Sequence, residues 1–175
     1  MNNHWRKTKG LTISEIMLAV CLLIVVISAI LLAYTNCFVL IDSIKNTNIA
    51  TNAAQSLIEK IRCSPYSLLT NYQVQIDDTI YDLNLVSGNL YSLNFTVSNL
   101  PSNQGVIYVD YDYDHDGTEN PEFLEVTVSI CWRQGSRVIG EDSNLNGVLD
   151  AGEDKNGNNK IDSPVEFTTR IVNRS

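Results

Sequence analysis

The chain is short of the residues on which enzyme sites and metal centres are usually built. It has 175 residues but only two histidines, His4 and His115, and four scattered cysteines. It contains no C-x-x-C pair, no G-x-S-x-G nucleophile motif and no glycine-rich phosphate loop. Zinc is not expected either, because its cysteine and histidine ligands are not clustered. The sequence therefore predicts a protein that is not an enzyme.

Basic residues are also scarce. The 12 Lys and Arg are outnumbered by 20 Asp and Glu, giving a formal net charge of −8. Three of the basic residues lie before Gly10, so without residues 1–10 the balance is 12 − 3 = 9 against 20, or −11. Nucleic acid is not expected as a partner, because phosphate contacts need clustered Lys and Arg. By the positive-inside rule, the basic start stays cytoplasmic and the acidic remainder is exported.

Glycine and proline are absent between Gly10 and Pro65. The run Ile16–Tyr34 carries no charge, and its 19 residues would span about 29 Å as a helix, close to the roughly 30 Å of a bilayer core. After this apolar run, the aliphatic residues recur at helical spacing and would form one face of a helix. They are Ala50, Ala53, Ala54, Leu57, Ile58 and Ile61. These patterns predict one helix of about 53 residues and about 80 Å, with residues 11–34 in a membrane and 35–63 as an amphipathic spine.

A lone carboxylate, Glu15, lies at the start of the apolar run, five residues after Gly10. The basic leader, Gly10, the apolar Leu11 and Glu15 together resemble the class III signal of type IV pilins and type II secretion pseudopilins. Leu11 replaces the phenylalanine usual in that family, and Ser14 before the glutamate is a second departure. A plain secretory signal or single-pass anchor is the alternative. The apolar run is longer than that of a secretory signal, and residues 34–37 are a poor cleavage site for one. A plain anchor explains the length but not Gly10 or Glu15.

The resemblance implies a processing pathway and an assembly. It implies that a prepilin peptidase removes residues 1–10 between Gly10 and Leu11 and that the new amino group is methylated. It also implies that Glu15 pairs with the N-terminus of a neighbouring pilin or pseudopilin subunit in a helical filament. The chain would then reside in the inner membrane as a single-pass protein before assembly.

After Pro65, which ends the helix, the periodicity changes from helical to alternating. Ser67–Asp78 is predicted to be an irregular connection. Strands are predicted by alternation and turn signals at Thr79–Val86, Tyr91–Val97, Val106–Tyr111, Leu124–Trp132 and Val165–Val172. The fold class is therefore α+β, a long helix packed on a small antiparallel sheet in an exported domain of residues 64–175. That arrangement matches the fold that the pilin resemblance implies, and Trp132 is expected to pack against the helix.

The segment Asp142–Glu153 has the spacing of a twelve-residue EF-hand calcium loop. Oxygen-bearing side chains occupy positions 1, 3, 5, 9 and 12, glycine occupies position 6, and position 7 offers its carbonyl. The expected ligands are Asp142, Asn144, Asn146, Val148 through its carbonyl, Asp150 and Glu153. No flanking helices are predicted, so this would be an EF-hand-like loop inside a connection of residues 141–163.

A second copy follows twelve residues later and is less complete. Its expected ligands are Asp154, Asn156, Asn158, Lys160 through its carbonyl, and Asp162. Asn159 replaces the glycine at position 6 and should tolerate the left-handed conformation needed there. Position 12 is Val165, and the nearest acid, Glu166, comes one residue late, so the second site should be weaker. The tandem resembles the calcium loops of dockerins and thrombospondin-type repeats.

A third acidic segment, Asp110–Gly117, could supply ligands from Asp112, Asp114 and Asp116. Solvated acidic turns are the alternative for all three segments, because Asn, Asp and Gly are ordinary turn residues. Cys63 and Cys131 are the one cysteine pair that could form a disulfide, with free thiols as the alternative.

Two functions fit these expectations. The first is a minor structural subunit of a type IV pilus or type II secretion filament, with calcium stabilising its exported domain. The second is a permanently anchored, calcium-dependent adhesion module that does not assemble.

Overall fold

We describe a computed structural model that covers residues 12–111 and 123–172. Gly10 and Leu11 lie outside the described residues, as do Asp112, Asp114 and Asp116. Contacts divide the chain into two units, Met1–Asp42 and Ser43–Ser175, which are treated separately below.

The helix α1 spans Ile13–Arg62 without interruption, close to the predicted bounds. In the first unit every described residue of α1 is exposed, and the rings of Tyr34 and Phe38 contact each other edge-to-face with their centroids 5.2 Å apart. Ser28, the polar residue in the apolar run, donates its hydroxyl to the Ile24 carbonyl at 2.8 Å and is thereby satisfied within the helix. By length and composition α1 can cross a membrane once.

Among its described residues, the second unit contains the rest of α1 and nine further elements. The chain order after α1 is α2 Tyr66–Leu69, β1 Gln73–Ile76, β2 Thr79–Asp82, β3 Asn84–Ser87, β4 Leu90–Phe95, β5 Asn103–Asp110, β6 Phe123–Gln134, β7 Arg137–Ile139 and β8 Glu166–Val172. The strands β1 and β2 form a two-stranded sheet. The others form a six-stranded sheet in the order β3-β4-β5-β6-β7, with β8 also paired to β6. Every strand pairing among the described residues is antiparallel, so the predicted α+β class is confirmed.

One face of the six-stranded sheet packs against α1. The helix buries Ala50, Ala54, Ile58 and Ile61, four members of the predicted stripe, while Ala53 and Leu57 are partly buried against the same cluster. Alternate residues of β6 from Leu124 to Trp132 meet this face, as alternation predicted. Trp132, which is 1% exposed, belongs to the same cluster, so its predicted packing is confirmed.

Two predicted boundaries were wrong. The connection 67–78 was expected to be irregular, but it contains part of α2 and all of β1. The strand expected at 79–86 is divided at Leu83, which is 8% exposed and donates its N–H to the Tyr72 carbonyl at 2.9 Å. Burying Leu83 ends β2, and the chain then continues in the other sheet as β3.

The cysteines Cys63 and Cys131 do not pair. Cys63 is exposed, Cys131 is buried, and both are free thiols. The disulfide considered from the sequence is therefore absent, and the alternative prediction of free thiols agrees with the structure.

Candidate calcium loops and the helix N-terminus

The candidate calcium loops lie in an insertion within one edge of the sheet. Along the same side of β6, β7 pairs with residues 132–134 and β8 with residues 123–129. Residues 140–165, here called the acidic excursion, leave this edge after β7 and return to it at β8. The Glu141 N–H donates to the Asp162 carbonyl at 2.8 Å, and the Ile130 N–H donates to the Val165 carbonyl at 3.2 Å. These bonds close the excursion at its base.

The acidic excursion covers the sheet face opposite α1. Three of its aliphatic side chains pack there, Ile161 fully buried and Leu145 and Leu149 partly buried, in a cluster with Tyr108 and Cys131. The Ile161 N–H donates to the Tyr108 hydroxyl at 2.9 Å. Burial raises the pKa of Tyr108 to about 12. These aliphatic anchors could not be predicted from the sequence, because isolated apolar residues in a polar loop follow neither a helical nor a strand period.

The first loop is organised around Asp142, whose side chain is fully buried. Its Oδ1 accepts from the Asn146 N–H at 3.1 Å, and its Oδ2 accepts from the Gly147 N–H at 2.7 Å. The Asn144 Oδ1 accepts from the Asn146 N–H, and the amides of Asn144 and Asn146 both donate to the Asp150 Oδ2, at 2.7 and 3.0 Å. The predicted ligand residues at positions 1, 3, 5 and 9 are thus brought together.

The second loop repeats these bonds at an offset of twelve residues. The Asp154 Oδ1 accepts from the Asn158 N–H at 3.2 Å, and its Oδ2 accepts from the Asn159 N–H at 3.1 Å. The amides of Asn156 and Asn158 donate to Asp162, as those of the first loop do to their own position 9. The two segments therefore share one loop geometry as well as one sequence spacing.

The left-handed residues recur at the same positions in both loops. Position 4 is Leu145 in the first loop and Gly157 in the second, with φ of +59° and +78°. Position 6 is Gly147 with φ +75° and Asn159 with φ +59°. The expectation that Asn159 takes the glycine conformation is confirmed.

The loops differ at position 12. Glu153 is 7% exposed, and its carboxylate accepts from the Ser143 N–H at 2.8 Å and the Asp150 N–H at 3.1 Å. The hydrogen bond from the Ser143 hydroxyl is the main cause that lowers the pKa of Glu153. Position 12 of the second loop, Val165, is buried in the core. Glu166 begins β8, and burial first, then the neighbouring Asp162 carboxylate, raises the pKa of Glu166.

Lys160 anchors the second loop to the sheet. The sequence predicts a ligand role for its backbone carbonyl, and its ammonium lies 3.6 Å from the Asp110 carboxylate and 3.8 Å from the Glu125 carboxylate. The Arg170 guanidinium lies 3.4 Å from the same Glu125. Asp110, the first residue of the third acidic segment, is thus buried with a basic partner.

The donor set of the first loop fits calcium by its chemistry. It offers carboxylate, amide and backbone oxygens, the hard ligands that Ca²⁺ prefers, and no sulfur or imidazole. Among residues 12–111 and 123–172, however, no three His, Cys, Asp or Glu side chains form a group able to hold a metal. In this arrangement the side-chain amides of Asn144 and Asn146 both donate to the Asp150 carboxylate.

Glu15 has a local partner at the start of α1. Its Oε2 accepts from the Thr12 N–H at 2.8 Å, while the Glu15 N–H points to the Thr12 hydroxyl at 3.4 Å. This reciprocal pair is a capping box, which satisfies backbone donors that the first helical turn leaves free. The sequence signal, a threonine three residues before a glutamate, was present but was not used.

Compared with family models, curated proteins and solved structures, the chain matches none.

Proposed function

We propose that the protein is a filament subunit of the type IV pilus or type II secretion class, anchored in the inner membrane before assembly. The observation that carries the proposal is the apolar first unit of α1, which begins at a capped Thr12 and exposes every described side chain. Such a surface is stable in lipid or against other apolar helices, and both environments occur along an assembly route from membrane to filament. The sheet unit would form the outer part of the filament.

Processing gives the first test. Mass spectrometry of the mature chain from its native host should find Leu11 as a methylated N-terminus, with residues 1–10 removed. An intact leader would contradict the filament proposal and favour the permanently anchored adhesion module.

The role proposed for Glu15 is to pair its charge with a neighbouring subunit, beyond capping its own helix. Replacing Glu15 with Gln keeps the capping box, since glutamine can take the same position, but removes the charge. Thr12→Ala removes the cap and keeps the charge, at a local cost of about 0.5–2 kcal/mol. The amount of each variant recovered in filaments sheared from cells should fall strongly for Glu15→Gln and little for Thr12→Ala. The reverse order would mean that Glu15 only caps the helix.

We further propose that the acidic excursion binds calcium, more tightly in the first loop than in the second. The support is the repeated loop geometry and the presence of a glutamate at position 12 in the first loop alone. Calcium at a hundredfold excess over Kd would stabilise the folded chain by about 2.7 kcal/mol. Chelation should therefore lower Tm.

Calorimetric titration of the full chain in detergent micelles tests the order of affinity. Glu153→Gln should weaken the tighter site, Asp154→Asn should affect only the weaker one, and Glu59→Gln, a distant acid on α1, should change neither. If neither calcium nor a chelator changed the melting temperature, the calcium proposal would be wrong and the loops would be hydrogen-bonded turns only.

A further inference from the structure

The chain contains two Asn-Gly pairs, Asn146–Gly147 and Asn156–Gly157, one in each loop of the acidic excursion. Asparagine is chemically labile before glycine, because the glycine backbone nitrogen can attack the asparagine side-chain carbonyl without hindrance from a Cβ. The attack requires this nitrogen to leave its hydrogen bond and approach the side chain. The local freedom of each glycine therefore decides which of the two chemically identical pairs reacts in the folded chain.

The side chains of Asn146 and Asn156 are held in the same way. Both are exposed, and each side-chain amide donates to the acid at position 9 of its own loop, Asp150 or Asp162. Each side-chain carbonyl accepts from the backbone N–H two residues further on. The asparagines themselves thus give no reason for a difference in reactivity.

The two glycines differ in burial. Gly147 is buried, and its N–H donates at 2.7 Å to Asp142, which is fully buried. A Cβ added to Gly147 would lie 2.5 Å from the Asn94 amide nitrogen of β4, so this backbone is packed against the sheet. Gly157 is exposed, a Cβ there would meet nothing within 4 Å, and its N–H donates at 2.6 Å to the partly buried Asp154. Packing therefore holds the Gly147 nitrogen in place, whereas the Gly157 nitrogen is held mainly by its hydrogen bond.

The anchoring of the two loops adds to this contrast. Position 4 of the first loop is Leu145, which is partly buried in the apolar cluster beneath the excursion. Position 4 of the second loop is Gly157 itself, which has no side chain to pack. The first loop is also closed by the Glu153 carboxylate at position 12, which accepts two backbone N–H groups of that loop, and the second loop has Val165 there. Local opening thus costs less in the second loop than in the first.

We propose that Asn156 is a deamidation site of the folded chain and that the fold protects Asn146 from the same reaction. The Gly157 nitrogen gives up its proton to hydroxide and bonds to the side-chain carbonyl carbon of Asn156. The bond from that carbon to the side-chain nitrogen then breaks, ammonia leaves with a proton from water, and a cyclic imide remains. Water opens this ring at either carbonyl, giving aspartate or isoaspartate. Water is thus the co-reactant, and the chain gains a negative charge.

The aspartate product changes the balance of the second loop. The amide of Asn156 that donates to Asp162 is replaced by a carboxylate, so two carboxylates face each other where a hydrogen bond was. Without a cation, this repulsion opens the loop. For the calcium binding proposed above, on which this consequence rests, the product supplies a carboxylate at position 3, and greater ligand charge raises calcium affinity. Deamidation therefore converts a hydrogen-bonded turn into a loop that needs a cation to close.

Peptide mass spectrometry of the full chain, incubated in detergent micelles with a chelator at mildly alkaline pH, measures both pairs in one experiment. Trypsin cleaves after Lys155 and so places the two asparagines in different peptides. In the folded chain, Asn156 should deamidate at least about tenfold faster than Asn146. In urea the two rates should become comparable, because the two dipeptides are the same and the fold no longer distinguishes them.

Matched variants test the anchoring of the first loop. Leu145→Gly gives this loop the residue that the second loop has at position 4, and glycine tolerates the φ of +59° found there. Deamidation of Asn146 should become at least about threefold faster in Leu145→Gly, while the rate at Asn156 stays the same. Val148→Ala shortens an exposed side chain of the same loop and should change neither rate.

The consequence for calcium is tested separately with Asn156→Asp, which carries the aspartate product from the start. With a chelator, amide hydrogen exchange at residues 157–160 should be faster in this variant than in the unsubstituted chain, and added calcium should slow it. Exchange that calcium leaves unchanged would contradict the calcium proposal but not the deamidation site, because the deamidation rates are measured without calcium.

Two results would overturn the deamidation proposal. The first is equal deamidation of Asn146 and Asn156 in the folded chain, which would mean that the fold protects neither or both. The second is a folded chain in which neither asparagine reacts during a period that converts both in urea.

Discussion

Replacing Gly140 with alanine should destabilise the base of the acidic excursion more than an alanine at an open glycine. Gly140 has φ +112°, a conformation that costs an L-residue about 1–2 kcal/mol. A Cβ there would lie 2.2 Å from the Cys131 Sγ and 3.2 Å from the Asp162 carbonyl oxygen. Overpacking of this kind costs about 1–3 kcal/mol. The expected total is a loss of about 2–5 kcal/mol in the free energy of unfolding.

Urea unfolding of the full chain can be followed by the fluorescence of the buried Trp132, with Trp5 replaced by Phe so that one tryptophan reports. Gly152→Ala is the matched control, because Gly152 has φ +92° and an added Cβ would meet nothing within 4 Å. Gly152→Ala should lower the free energy of unfolding only by the cost of the left-handed backbone conformation, about 1–2 kcal/mol.

A double-mutant cycle with Cys131→Ala isolates the steric part, because that change removes the Sγ atom. In the Cys131→Ala background the cost of Gly140→Ala should fall by about 1–3 kcal/mol. Equal costs for Gly140→Ala and Gly152→Ala, or no coupling to Cys131, would refute the tight contact at the base of the excursion.

Three further predictions concern the sheet face beneath the excursion. Burial raises the pKa of Cys131 to about 11. At pH 8 iodoacetamide should therefore alkylate Cys131 about a hundredfold more slowly than the exposed Cys63, as measured by mass spectrometry of peptides. Comparable rates for the two cysteines would contradict the burial of Cys131. Because the pKa of Tyr108 is raised in the folded chain, the neutral Tyr108 hydroxyl contributes fully to the free energy of unfolding below about pH 10. This contribution, up to about 2 kcal/mol, is lost as the pH rises through 12. The urea midpoint, measured from pH 8 to 12, should show this loss in the unsubstituted chain but not in Tyr108→Phe. If the midpoints of the two chains fell in parallel with pH, Tyr108 would not be the cause. Lys160→Met should cost about 2 kcal/mol in the same assay, because it removes the ammonium beside the buried Asp110 carboxylate and the half-buried Glu125 carboxylate. Lys155→Met, at an exposed position, should cost less than about 0.5 kcal/mol.

The helix was the most predictable element, because its signals are local. The absence of glycine and proline between Gly10 and Pro65 set its extent, and the aliphatic stripe identified its buried face. The capping box at Thr12 and Glu15 is equally local. Its signal is the pair Thr12 and Glu15 at a spacing of three residues, so a contact of Glu15 with another subunit is not needed to explain this glutamate.

The sheet was predictable where alternation was strong and unpredictable where pairing depended on distant residues. The strands expected at Tyr91–Val97 and Leu124–Trp132 correspond to β4 and β6. The division at Leu83 has no local signal, because it follows from burial against the core and from a backbone bond to Tyr72. The short β7 exists because β6 extends far enough to pair with it.

The loop spacing predicted the local turns of the acidic excursion, including the left-handed Asn159, but not the position of the excursion on the sheet. That position depends on which face of the sheet remains exposed once α1 has packed. Central strands such as β5 alternate their side chains between both faces, with Ile107 on the helix side and Tyr108 on the other. A two-sided apolar strand needs a second covering layer, and the excursion supplies it.

The excursion begins and ends on the sheet edge paired with β6. A change in the order of its loops therefore affects the sheet as well. The bonds Glu141–Asp162 and Ile130–Val165 join the loop bases to the edge, and Ile161 lies beneath the second loop against Tyr108. A cation that ordered the loops would therefore hold the covering layer in place, and its removal would expose the Cys131 face first. The side of the sheet packed on α1 would retain most of its core, since Val165, at the end of the excursion, is the one buried excursion residue in that cluster. On this reasoning, calcium would control the stability of the outer face of the sheet, while helix packing controls the inner face.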